Sequence, residues 1–180
     1  AMVGKALRMV SSRGRDNAAL FEELFQRKKI ANHCCYLDGL TRINSKLVDT
    51  VSGDTTDLNM PGPDFTPAAA QDLLDQVLRR LEQLAGHVQW IVLSGSLPPG
   101  MPADAYAIIT RQVQAAGASV VLDTSGAPLK AALTVGPKIV KPNRHELAEL
   151  VGRPLTTLDE VIATGRELLA ATPAPDLVVV

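Results

Sequence analysis

Cysteine is almost absent from the sequence: Cys34 and Cys35 are the only two, and they are neighbours. Adjacent cysteines cannot staple distant parts of a chain. A disulfide framework is therefore excluded, and the pair fits a reduced, cytoplasmic setting. There is no excess of positive charge either. The net charge is −1, and the short Arg27-Lys28-Lys29 run reads as a solvated helix end, so a nucleic-acid partner is not expected. No apolar run approaches the length of a membrane span and no signal-peptide pattern opens the sequence, so no membrane association is expected. Internal repeats and low-complexity segments are missing. The three histidines are scattered. His145-Glu146-Leu147-Ala148-Glu149 opens like a zinc-protease helix but has Glu149 where the second histidine belongs, which excludes that chemistry. No Walker A loop is present.

What remains is an ordinary globular composition, 46% hydrophobic and 21% charged over 180 residues, enough for one domain with a substantial core. Ala1 ahead of Met2 reads as the remnant of a cleaved tag. Residues 3–15 are weakly patterned. Asp16 can cap a helix from Asn17 to about Lys29, with Leu20, Phe21, Leu24 and Phe25 on one face. Three β-like runs follow at 33–37, 41–51 and 55–58, separated by Asp38-Gly39 and Ser52-Gly53-Asp54. This predicts a three-stranded antiparallel meander, with Arg42, Asn44 and Lys46 on one face of the middle strand.

From Thr66 the pattern becomes regular. A helix over 67–85 opens on Thr66 and Pro67, and its apolar face is Leu73, Leu74, Val77, Leu78 and Leu81. Strands are predicted at 90–93, 119–122, 138–140 and 177–180. Helices are predicted at 103–116, 127–133, 143–151 and 158–171. Near-continuous apolar strands separated by helices imply a parallel sheet covered on both faces, with ligands bound beyond the strands' carboxyl ends. Three successive strands end in small and polar residues: Ser94-Gly95-Ser96, Asp123-Thr124-Ser125-Gly126 and Lys141-Pro142-Asn143.

Each tip has a bland reading beside a functional one. Asn143-x-x-Glu146 matches a capping box, which needs no ligand. It equally suits Lys141 on an anion, with Asn143 and Glu146 organising a hydrated Mg²⁺. Gly95 lets backbone approach a ligand and Ser96 offers a hydroxyl, yet Pro98-Pro99-Gly100 would make a loop there regardless. Asp123 is either a helix cap or an anion near a cation. Arg42 can grip a sugar phosphate through two parallel hydrogen bonds or sit on a solvated sheet face with Asn44.

Together these residues resemble the PfkB-type carbohydrate kinases, the ribokinase-like family, and within it the sugar-phosphate branch. The similarity is carried by Thr41-Arg42-Ile43-Asn44, by Met60-Pro61-Gly62-Pro63, by residues 93–100 (LSGSLPPG), by residues 122–126 (LDTSG) and by residues 141–147 (KPNRHEL), in family order. The resemblance implies a three-layer α/β/α core with a mainly parallel sheet, formed by residues 1–31 and 60–180, and a small antiparallel β lid at 32–59. It implies ATP and Mg²⁺ as co-substrate and cofactor, with a homodimer through the lid. Arg42 and Asn44, with Gly95 and Ser96, would bind the sugar phosphate. Lys141, Asn143 and Glu146 would meet nucleotide phosphate, and Asn143, Glu146 and Asp123 the metal. The implied reaction is phosphorylation of fructose 1-phosphate to fructose 1,6-bisphosphate. Tagatose 6-phosphate or fructose 6-phosphate is the alternative substrate.

Two family features have no counterpart in the sequence. Gly4-Lys5 only faintly echoes the N-terminal Gly-Gly-Lys-Gly-x-Asn segment. The Gly-Ala-Gly-Asp segment with the catalytic aspartate does not occur before Val180. The expectation is a portion of a longer kinase with an incomplete core, truncated at both ends and inactive alone. A binding or dimerisation module without turnover is the non-enzymatic alternative.

Overall fold

A computed structural model describes residues 7–60 and 62–180. The readings made on Ala1-Met2, on Gly4-Lys5 and on Pro61 lie outside the described residues. The chain divides into two compact units. One takes in the sequence up to Val77 together with Pro98–Gly100; the other takes in Leu78–Leu97 and Met101–Val180.

The second unit holds a four-stranded parallel sheet in the order β10-β9-β8-β7, with β7 Trp90–Ser94, β8 Ser119–Asp123, β9 Ile139–Val140 and β10 Leu177–Val178. Helices α3 (Ala105–Ala115), α4 (Gly126–Leu133), α5 (Arg144–Val151) and α6 (Leu158–Leu169) connect the strands, as parallel pairing demands. Val120, Leu122, Val140, Leu129, Ala132 and Leu147 are fully or almost fully buried and form the centre. Leu147, Leu155 and Val161 make a satellite cluster between α5 and α6. Burial of the sheet is less even than the sequence predicts. Val92 is 64% exposed and Trp90 45%, so that face of the edge strand β7 is uncovered.

The first unit departs further from expectation. The weakly patterned start contains β1 (Leu7–Met9) and β2 (Ser12–Gly14). After α1 (Ala18–Lys28) the chain returns as β3 (Ile30–Asn32), parallel to β1, and β4 (Cys35–Leu37), parallel to β2. The predicted three-stranded meander is therefore corrected. Among the described residues only β5 (Ser45–Val48) and β6 (Thr55–Leu58) pair antiparallel, and the 33–37 run belongs to a strand-helix-strand unit. The reason is local. Backbone N–H groups of Arg15 and Asp16 donate to Leu37 and Gly39 carbonyls, at 2.8 and 3.1 Å. The chain at Asp38-Gly39 is thus drawn past β2 instead of turning back on itself. Arg42 and Asn44 precede β5 and lie in no strand.

Helix α1 also differs in its start and its face. Asn17, not Asp16, occupies its N-cap, without a side-chain cap bond. Phe25 is buried while Leu20 and Leu24 are exposed. The Arg13 guanidinium lies 4.1 Å from the Phe21 ring centre and 4.6 Å from that of Phe25. Its Nε donates to Cys34 Sγ at 3.2 Å. Two aromatic faces and a sulfur thus accommodate an arginine that is only 9% exposed. Helix α2 (Pro67–Leu84) forms as predicted, with Thr66 Oγ1 accepting from Ala69 N–H at 3.2 Å.

Helix α6 carries a pH signature. Thr157 and Glu160 form a full capping box, and the backbone N–H groups of Thr157 and Thr156 hold the Glu160 carboxyl at about 2, against an ordinary 4.5. A depressed carboxyl contributes stability above its unfolded value and loses it as the pH falls through the folded one. Thermal unfolding midpoints followed downward from neutral pH should therefore drop more steeply between about 4.5 and 2 for the parent than for Glu160→Gln. Parallel acid limbs would show that the box contributes nothing to acid stability.

Candidate functional site

The strand tips of the second unit converge because β8 is in register with both neighbours. Ser94 pairs with Asp123, and Leu122 with Val140. One residue past β9, the Lys141 N–H donates to Leu122 O at 2.9 Å, which keeps Lys141 extended beside β8. Its Nζ then lies 3.0 Å from Asp123 Oδ1. Both side chains are partly exposed, so the pair adds little to stability. What it supplies is a cation and an anion held together at the sheet's carboxyl edge.

Gly95 is the most heavily constrained residue of the first tip. Its φ of 97° lies in the region that favours glycine. Its N–H donates to Asp123 O at 3.0 Å, tying the loop after β7 to the end of β8. Its carbonyl accepts from Tyr106 Oη at 3.0 Å and Thr124 Oγ1 at 2.9 Å. Tyr106 also reaches Ser94 O at 3.3 Å. Burial pushes the Tyr106 phenol up, so it remains a donor at neutral pH. Ser96, exposed, follows directly on this clamped peptide.

At the third tip the capping box is built in full. Asn143 Oδ1 accepts from His145 and Glu146 N–H groups at 2.9 and 3.0 Å, and Glu146 Oε2 accepts from Asn143 N–H at 2.8 Å. Asp123, Asn143 and Glu146 offer only oxygen donors, the chemistry Mg²⁺ prefers. Among the described residues, no group of three or more His, Cys, Asp or Glu side chains is placed to hold a metal. An all-protein metal cage is therefore not built among the described residues.

Arg42 and Asn44 belong to the other unit. Arg42 is exposed. Asn44 has a structural bond, its Oδ1 accepting from Met60 N–H at 3.2 Å across the open end of the β5–β6 hairpin. Thr41 is fixed on three sides: its Oγ1 accepts from Gly14 N–H at 2.8 Å, its N–H donates to Asn17 Oδ1 at 2.9 Å, and its carbonyl accepts from Asn17 Nδ2 at 3.0 Å. The loop at 93–100 is shared, since Pro98–Gly100 groups with the first unit.

Tyr106, Thr124 and Asn17 are the residues that sequence reasoning missed. Thr124 adjoins Asp123 and had a positional signal. Tyr106, on the first turn of α3, had none. The Gly95 carbonyl yields a direct check. Tyr106→Phe and Thr124→Val should each cost about 1 kcal/mol in denaturant unfolding. The double variant should cost more than the sum, because either hydroxyl alone keeps the carbonyl paired. Simple additivity would show that the two do not share one acceptor.

The comparisons with known proteins fit this geometry. The sequence matches the pfkB family of carbohydrate kinases over residues 1–180. It is 45% identical over 161 residues to a 1-phosphofructokinase of Xanthomonas campestris pv. campestris, covering 87% of this chain and 49% of that protein. It is 42% identical over 172 residues to a 1-phosphofructokinase of Rhodobacter capsulatus, covering 95% and 53%. The chain therefore spans about half the length of these relatives. The structure superposes on Escherichia coli phosphofructokinase-2 solved with fructose-6-phosphate, with a TM-score of 0.82 at 26% identity, over 96% of this chain and 55% of that one. The parallel sheet with polar strand tips and the small antiparallel hairpin are thus a ribokinase-like α/β arrangement, and the chain belongs to the PfkB family of carbohydrate kinases.

Proposed function

We infer that the intact protein is an ATP- and Mg²⁺-dependent sugar-phosphate kinase that converts fructose 1-phosphate to fructose 1,6-bisphosphate. The observation that carries this reading is the 45% identity to a 1-phosphofructokinase. The paired Lys141 and Asp123 at the sheet's carboxyl edge support it. In the transfer, the sugar hydroxyl oxygen bonds to the γ-phosphorus, the bond to the ADP oxygen breaks, and the hydroxyl proton leaves to a base. Asp123, Asn143 and Glu146 would hold a hydrated Mg²⁺, which would supply neutralisation of phosphate charge.

This chain's residues divide the binding work. Lys141 turns from Asp123 to the nucleotide phosphates, which frees the Asp123 carboxylate, with Asn143 and Glu146, for the hydrated cation. Gly95 and Ser96 line the sugar, presented by the clamp from Tyr106 and Thr124. Arg42 holds the phosphate already on the substrate, with Asn44 fixing the hairpin beside it. The base is assigned to the aspartate of the family's Gly-Ala-Gly-Asp segment, which this sequence does not contain. The 180 residues are accordingly expected to bind ligand without transferring phosphate.

The lid reading of residues 32–59 carries over to the β5–β6 hairpin, as lid and as contact between two copies. Its ladder sorts the side chains: Leu47 and Leu58 share one face, while Lys46 and Asp57 pair at 3.2 Å on the other. Leu47 is 57% exposed and Leu58 48%, an apolar face that a second copy can cover.

Two measurements test the proposal. In a coupled assay of ADP release, the intact protein should turn over fructose 1-phosphate in preference to fructose 6-phosphate and tagatose 6-phosphate. Lys141→Ala should lower kcat/KM by about a hundredfold through the loss of a charge-assisted phosphate contact. Absence of turnover with any of the three substrates sinks the kinase reading. In sedimentation, Leu47→Asp should convert a dimer to monomer; an unchanged dimer excludes the hairpin as its contact.

A further inference from the structure

Asn17 occupies the N-cap of α1, a position where an asparagine ordinarily accepts from the helix's own free N–H groups. Here it caps nothing in α1. Its amide instead spans to Thr41, accepting from the Thr41 N–H at 2.9 Å and donating to the Thr41 carbonyl at 3.0 Å. The helix forgoes a cap and the segment around Thr41 gains a two-point clasp. Gly14 completes it, donating its N–H to Thr41 Oγ1 at 2.8 Å. A Cβ on Gly14 would collide with the backbone of Gly39, Leu40 and Thr41, so only glycine lets the segment pass this close. All the polar groups of Thr41 are thereby held by residues 14 and 17, outside any strand ladder.

We propose that Asn17 is a positioning residue for the substrate-phosphate grip: by clasping the Thr41 backbone it fixes the chain direction from which Arg42 reaches the phosphate. The inference rests on the reading of Arg42 as the residue that holds the phosphate of the sugar phosphate. It goes beyond that reading by assigning the aim of Arg42 to a residue on another element. A clasp on the preceding residue removes backbone freedom that binding would otherwise have to quench.

The test uses the intact enzyme with fructose 1-phosphate and ATP, and the variants Arg42→Ala, Asn17→Ser and Asn17→Asp. Serine and aspartate are both good N-cap residues, so α1 retains or gains its cap and the variants should fold. Serine is too short to make the two-point clasp, and aspartate cannot donate to the Thr41 carbonyl. Arg42→Ala should raise the KM for fructose 1-phosphate. Both Asn17 variants should raise it about tenfold, as expected for the loss of one to two neutral hydrogen bonds, with the KM for ATP unchanged. A purely structural role predicts a fall in melting temperature and equal shifts in both KM values. If Arg42→Ala raises the sugar-phosphate KM and neither Asn17 variant does, or if both KM values move together, the positioning role is overturned while the Arg42 reading stands. If Arg42→Ala leaves that KM unchanged, the Arg42 reading fails and takes the positioning role with it.

Discussion

The register of β8 between β7 and β9 is the constraint on which the second unit depends. Side chains alternate along a strand, and on β8 the alternation is strict: Val120 and Leu122 are fully buried. A slip of one residue would turn Leu122 outward and bring Asp123 into its place in the core, at the cost of burying a carboxylate. Burial therefore pins Asp123 to the tip. The same pairing sets Leu122 against Val140 and hence Lys141 beside Asp123. The ion pair does not hold the sheet; the sheet's apolar register places the ion pair.

The loops beyond the strands need a different device, because no ladder reaches them. In both units it is a side chain bonded to a loop backbone. Tyr106 and Thr124 hold the Gly95 carbonyl, and Asn17 holds both backbone groups of Thr41. Such bonds add only modestly to stability. Their effect is to leave one conformation for residues that would otherwise sample several. Ser96 and Arg42, the residues proposed to meet substrate, each directly follow a clamped residue.

The same distinction explains what the sequence revealed. Helices α2, α3 and α6 and strands β7 and β8 were legible because apolar periodicity runs through them for several turns or residues. β1 and β2 were not, since Leu7-Arg8-Met9 and Ser12-Arg13-Gly14 are too short to show a period and are strands only through pairing across α1. The same pairing defeated the meander, because Asp38-Gly39 has hairpin chemistry but Arg15 and Asp16 capture the carbonyls of Leu37 and Gly39. Asp123 and Lys141 stood out because charge at the end of an apolar strand is conspicuous. Tyr106 and Asn17 did not, because a tyrosine in a first turn and an asparagine before a helix each have ordinary local explanations. Only the structure shows those explanations are not used.

Asn143 and Glu146 present the converse case, since there the ordinary explanation is fulfilled. The box engages the N–H groups of Asn143, His145 and Glu146, three donors that a helix N-terminus would otherwise offer to an anion. It also sets the Glu146 carboxylate against the positive end of the α5 dipole. An anion arriving there would have to displace bonds already made and meet a negative group already present. On the proposed kinase reading, a phosphate near this tip would be drawn by Lys141 and not by the bare end of α5. Capping and the proposed metal role are then compatible: the box fixes the Glu146 carboxylate in place, and a carboxylate held in place would be the more useful one to a hydrated Mg²⁺.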